Sequence, residues 1–109
     1  MELRQLNYFI AVVEEGTISD AARALHMSQP PLTAQMHALE SELGCALFEH
    51  AGRRLRITEA GRTFYARAKA IATLCAGARS EMADLSAGAA NGVRTIATSI
   101  ARSRSRLIS

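Results

Sequence analysis

A mainly α fold, a winged helix-turn-helix (a three-helix bundle with a two-stranded wing) followed by a long dimerisation helix, is predicted by three observations. Two helical segments are joined by only four residues, Leu25 to Ser28; an alternating stretch follows a turn signal at Gly52; and an apolar heptad runs from Phe64 to Leu85. The first marks a short helix tightly linked to a longer one, the second a β-hairpin, and the third a helix that pairs with another helix.

Taken in order, Leu3, Leu6, Ile10 and Val13 recur at helical spacing beside Phe9, and Gly16 ends this first helix. Thr17, with Asp20 three residues on, reads as an N-cap close to a capping box. It opens a short second helix whose buried side is Ile18, Ala21, Ala22 and Leu25. Ser28 is placed to cap the third helix, and Pro30 and Pro31 fall in its first turn, where a missing N–H costs nothing. Leu32, Met36, Leu39 and Leu43 give that helix an apolar stripe, and Gly44 stops it. Leu55 and Ile57 then alternate with Arg54 and Arg56, which predicts a wing with its tip at Ala51-Gly52-Arg53-Arg54.

Thr58 caps a fourth helix and Glu59 suits the positive end of its dipole. Phe64, Ala68, Ile71, Cys75, Ala78, Met82 and Leu85 step by alternating fours and threes, a seam for dimerisation. A domain this small cannot bury so long a stripe, so self-pairing is expected; packing on a further domain is the alternative, and the alanines leave parallel and antiparallel order open. Gly88 to Gly92 reads as a hinge, and the Arg/Ser-rich end as a disordered tail. The resulting division is residues 1–58 for the winged helix-turn-helix, with the helix-turn-helix at about 18–37, residues 59–88 for the linker helix, and 89–109 for hinge and tail.

Composition bounds the function. Among 109 residues, 49% are hydrophobic and 21% charged, the range of a globular protein. No apolar run approaches a membrane span, and Glu2, Glu14, Glu15 and Asp20 argue against a secretory leader, so a cytoplasmic location without membrane attachment is expected. Cys45 and Cys75 are too few for a disulfide framework, and with His26, His37 and His50 they show no metal-ligand spacing. Neither metal nor cofactor is expected. Nor is an enzyme: the carboxylates are scattered, no histidine has an evident acidic partner, and no glycine-rich phosphate loop occurs. Charge is divided unevenly. Residues 1–52 carry two basic against seven acidic side chains, net −5, and residues 53–109 eleven against three, net +8. Such a step suggests a polyanion contact in the second half, with a solvated basic face as the alternative.

With Leu32, Met36, Leu39 and Leu43 inward, helical geometry turns Pro30, Thr33, Ala34 and His37 outward and leaves Gln29 at the exposed N-terminus. The second helix of a helix-turn-helix enters the major groove with its N-terminal residues on base edges. Gln29 can pair with adenine, Thr33 offers a hydroxyl, and Pro30 and Ala34 can pack on a thymine methyl. Arg53 and Arg54 suit phosphates or a narrow minor groove; Arg56, Arg62 and Arg67 are weaker candidates.

The stretch from Met1 to about Gly92 resembles the N-terminal part of LysR-type bacterial transcriptional regulators. The resemblance is carried by Leu6-Asn7-Tyr8-Phe9, Gly16-Thr17-Ile18-Ser19-Asp20-Ala21-Ala22, and Leu25 to Thr33. It continues through Leu39 to Gly44, Leu47-Phe48-Glu49 and Leu55 to Gly61. It implies a winged helix-turn-helix, a homodimer or higher oligomer formed through the linker helix, and double-stranded promoter DNA as partner. It also implies contact roles for Gln29, Pro30, Thr33 and Arg53. Ala34, His37 and His50 depart from positions that are often basic in relatives, which should lower non-specific affinity and its salt dependence. The family's C-terminal domain senses a small molecule. Gly92-Val93-Arg94-Thr95-Ile96 resembles the opening of that domain, after which the likeness stops, so no effector site is expected in this chain. Two functions are compatible with this: a dimeric, sequence-specific DNA-binding regulator, or an interaction protein that forms mixed dimers with a full-length regulator and modulates it.

Overall fold

The computed structural model describes residues 1–91, with side chains to Gly88. Its elements are α1 (Leu3–Glu15), α2 (Ile18–Ala24), α3 (Gln29–Leu43), β1 (Phe48–Ala51), β2 (Arg54–Ile57) and α4 (Glu59–Asn91). Chain contacts divide the described residues into two units, Met1–Thr73 and a second that begins at Leu74. The first is the winged helix-turn-helix together with the opening turns of α4; the second carries the rest of that helix. No described helix is long and apolar enough to cross a membrane.

Local chemistry sets the helix boundaries. Gly16 and Gly44 end α1 and α3 in the left-handed conformation, at φ 82° and 74°, where a glycine avoids a Cβ clash. Thr17 caps α2 as expected, its side chain accepting from the Asp20 N–H at 3.0 Å. α2 ends without a glycine. His26 takes φ 56°, its N–H donating to the Arg23 carbonyl at 3.2 Å while Met27 N–H reaches back to Ala22 at 2.9 Å. This pair of bonds is a Schellman closure, and it turns the chain from α2 into α3. Ser28, by contrast, makes no side-chain capping bond. The N–H groups that an N-cap oxygen accepts belong to the second and third helical residues; here these are Pro30 and Pro31, which have none.

The core is formed by Leu6, Phe9 and Val12 of α1, Ala21 and Ala22 of α2, Leu32, Met36 and Leu39 of α3, with Leu47 and Ala68. The buried line of α1 is therefore one step from the expected one: Ile10 and Val13 flank it and Leu3 is 51% exposed. Phe9 lies between Phe48 of the wing and Phe64 of α4, with ring centroids at 5.4 and 5.1 Å, tilted and edge-on geometries that aromatic pairs favour.

Two features of α4 bear on the expected division of the chain. Ala68 is fully buried in the first unit, and Phe64 and Ile71 pack against the same core, so the first half of the predicted dimer seam serves its own domain. The first compact unit accordingly takes in the start of α4, as far as Thr73. At its far end α4 continues through Gly88 to Asn91, into the stretch read as a hinge. One glycine costs a helix only about 1 kcal/mol, and the neighbouring alanines favour continuation. The remainder of the predicted hinge and tail lies outside the described residues.

α4 is fastened to α1 by polar contacts. The Tyr65 hydroxyl donates to Glu14 Oε2 at 2.7 Å and Lys69 Nζ lies 3.1 Å from the same oxygen. Donation from Tyr65 foremost, and then from Lys69, holds the Glu14 carboxyl below the usual carboxylate range, and the Tyr65 and Lys69 pKa values are raised in turn. A depressed carboxyl stabilises the fold above its unfolded pKa of 4.5 and loses that contribution as pH falls through the lower folded value. Glu14→Gln should therefore lower the melting temperature at neutral pH by at most a few degrees, since the pair is solvent-exposed. The difference from wild type should vanish in acid; melting curves across pH 3 to 7 check it, and a gap that persists in acid would refute the assignment.

Candidate nucleic-acid interface

Two surfaces of the first unit lie side by side: the outer face of α3 and the wing. With Leu32, Met36 and Leu39 locked inward, α3 leaves Gln29, Pro30, Ala34 and His37 exposed and Thr33 half-buried. All five predicted recognition residues therefore fall on one side of one helix. At its N-terminus the positive end of the helix dipole is open to anions. Because Pro30 and Pro31 lack N–H groups, the hydroxyl of Ser28 is left free of an intrahelical role there.

The wing is a two-stranded antiparallel hairpin with Ala51 opposite Arg54 and Phe48 opposite Ile57. The two turn residues are Gly52 and Arg53, and Gly52 takes φ 65°, as the first position of a tight hairpin favours. Arg53 is exposed at the tip. Arg54 is exposed too, yet its guanidinium lies over Gly16, so close that a Cβ there would stand 2.7 Å from Nη2. Of the two predicted wing arginines, only Arg53 projects from the turn itself.

Between α3 and the wing runs a groove of about 150 Å³ lined by Ile18, Thr33, Met36, His37, Glu40, Phe48, His50 and Leu55. His50 and Leu55 face each other across the hairpin and share the inward side of the wing with Phe48 and Ile57. The groove brings Thr33 and His37 of the recognition surface next to His50.

Three anchors hold the wing against the helices. Leu55 N–H donates to the Gly16 carbonyl at 3.1 Å, tying β2 to the α1–α2 loop. Thr58 N–H donates to the Leu47 carbonyl at 3.0 Å; the Thr58 hydroxyl donates to the Ala46 carbonyl at 2.7 Å and accepts from Gly61 N–H at 2.9 Å, so the predicted N-cap of α4 also closes the wing. Finally, Glu40 Oε2 accepts from Leu47 N–H at 2.7 Å and Phe48 N–H at 3.3 Å. Glu40 escaped the sequence reading, because its partners are backbone groups that leave no mark in the side-chain pattern. Leu74 escaped as well. It is 74% exposed on α4, beside the predicted seam residue Cys75.

In the second unit, Ala78 and Met82 are exposed and Cys75 and Leu85 half-buried. Among the described residues no three His, Cys, Asp or Glu side chains are grouped to hold a metal ion.

Comparison with known proteins agrees with this geometry. The family model described as bacterial regulatory helix-turn-helix protein, lysR family, matches residues 3–62. The HTH-type transcriptional regulator ClcR of Pseudomonas putida is 61% identical over 64 residues, covering 59% of this chain and 22% of its own. The chain thus matches about a fifth of that relative's length. Among solved structures, a CbnR DNA-binding domain in complex with DNA is 49% identical with a TM-score of 0.70, covering 77% of this chain and 99% of that one. A BenM DNA-binding domain bound to benA site 1 DNA is 40% identical with a TM-score of 0.73, covering 77% and 98%. A family match across more than half of the chain, on the winged helix-turn-helix described above, establishes that this protein belongs to the LysR family of bacterial regulatory helix-turn-helix proteins.

Proposed function

We propose that the chain binds double-stranded promoter DNA sequence-specifically as a dimeric transcriptional regulator. In this reading α3 enters the major groove and the wing tip rests on the minor groove or the adjacent backbone. The observation that carries it is the two-sidedness of α3: Leu32, Met36 and Leu39 are buried at 3% exposure or less, while Gln29, Pro30, Ala34 and His37 face solvent. A helix held this way offers base-reading groups without loosening its core. The CbnR and BenM neighbours were solved on DNA, which supports the same use of the surface.

Pairing is assigned to the second unit. Leu74, Ala78 and Met82 lie four residues apart on α4, with Leu74 74% and Met82 58% exposed, and Cys75 and Leu85 continue the same apolar side. With Phe64, Ala68 and Ile71 engaged in their own core, residues 74–85 form the seam proposed for the dimer. Leu74→Glu combined with Met82→Glu should convert a dimer to a monomer in sedimentation experiments and weaken binding to a two-half-site duplex more than to a single half-site. A dimer that survives both charges would place the interface elsewhere.

The DNA reading is tested by selecting bound sequences from a random duplex pool at two salt concentrations. Enrichment of a pseudo-palindrome is expected, with affinity falling as salt rises by a slope of about −0.9 for each phosphate neutralised. A pool that shows no preferred sequence would refute specific recognition.

A further inference from the structure

Glu40 stands in the last turn of α3, where the negative end of the helix dipole disfavours a carboxylate. Its position is accounted for by what it binds. The backbone carbonyl of Glu40 accepts from Gly44 N–H at 2.8 Å and from Cys45 N–H at 3.3 Å, ending the helix. Its carboxylate then accepts from Leu47 and Phe48 N–H at 2.7 and 3.3 Å, where the chain enters β1. One residue of the recognition helix therefore holds both ends of the connection to the wing. The shorter of the two, at 2.7 Å, has the length of a charge-assisted bond, a class about twice as strong as neutral ones, and the longer is weaker. The hairpin register carries the fixed base of β1 to the tip, from Phe48 opposite Ile57 to Ala51 opposite Arg54, and so to Arg53.

We infer that Glu40 is a positioning residue for DNA recognition, which sets the wing relative to α3 so that Arg53 reaches the duplex while α3 occupies its groove. This rests on the DNA-binding reading above. Glu40 touches no DNA in this scheme and acts only through the wing. Removing its side chain unties the Leu47 and Phe48 N–H groups from α3, while the Thr58 N–H on the Leu47 carbonyl and the Gly16 carbonyl on Leu55 still hold the hairpin, so the wing can tilt against α3 without detaching.

The test is a double-mutant cycle on DNA affinity. The probe is a labelled duplex carrying the sequence that the wild-type chain selects from a random pool. Arg53→Ala should weaken binding about tenfold. Glu40→Ala should weaken it by a similar factor, and the double variant should bind no worse than Arg53→Ala alone, because a misplaced wing has nothing to lose once its arginine is gone. Glu40→Gln, whose amide oxygen can still accept both N–H groups, should recover most of the affinity. It also supplies the cycle if Glu40→Ala does not fold, through its own smaller loss that disappears in the Arg53→Ala background. Effects of Glu40 and Arg53 that multiply would overturn the inference, since Glu40 would then act through stability or through α3 alone, and so would wild-type affinity in Glu40→Ala. Wild-type protein that selects no sequence would instead defeat the DNA reading on which the inference rests.

Discussion

Gly61→Ala is expected to destabilise the first unit more than any other single-methyl addition. The glycine lies in the first turn of α4, fully enclosed. A Cβ there would fall onto the Leu47 carbonyl oxygen and within 2.7 Å of Ile57 Cγ1. The Leu47 carbonyl cannot retreat, because it already accepts from Thr58 N–H and Leu47 is itself 1% exposed. Relief requires α4 to lift away from the wing base, which would pull Phe64 from Phe9. Overpacking a core costs about 1–3 kcal/mol, and a clash with immobile backbone belongs at the upper end. For a domain of this size that corresponds to a fall of roughly 15 °C in melting temperature. Thermal unfolding followed by circular dichroism reads it directly; an unchanged midpoint would mean that α4 is not seated on Leu47 as described.

The second large effect concerns binding and leaves the fold intact. Ala34 sits in mid-helix on the exposed side of α3, and glutamate is a good helix former, so Ala34→Glu should melt like wild type. Its carboxylate would face the negative duplex from the centre of the recognition surface. Like-charge apposition at an interface costs several kcal/mol, so affinity should fall by roughly two orders of magnitude. A mobility-shift titration with the selected duplex checks this. Retained affinity in a folded Ala34→Glu protein would show that this side of α3 does not meet DNA.

What could be read from the chain and what could not divides by range of interaction. Gly16, Thr17, Gly44 and Thr58 were legible as helix boundaries because a cap is decided by the residue and its next few neighbours. Ser28 departs from the usual capping preference for a local reason too: Pro30 and Pro31, the second and third residues of α3, have no N–H to give. The outward set on α3 followed from periodicity alone, since Leu32, Met36 and Leu39 fix the inward side.

Long-range features were not legible. Phe64, Ala68 and Ile71 satisfy a heptad, but over two turns a heptad and an ordinary amphipathic stripe are the same pattern. Only the presence of Phe9 and Leu47 beneath them shows which surface they cover. Gly61 looks like a mere penalty inside a helix until the Leu47 carbonyl is found above it. Glu40 reads as one more surface acid in an acidic half, and its two backbone partners, seven and eight residues away, carry no side-chain signature.

The adjacent prolines at the start of α3 have a thermodynamic consequence. Two rings fix φ at Pro30 and Pro31 before any ligand arrives, so less chain freedom would remain to be surrendered if the helix tip docks as proposed. Under that proposal, association at that end would resemble a rigid key meeting its slot more than a segment folding on contact, with a correspondingly small ordering penalty.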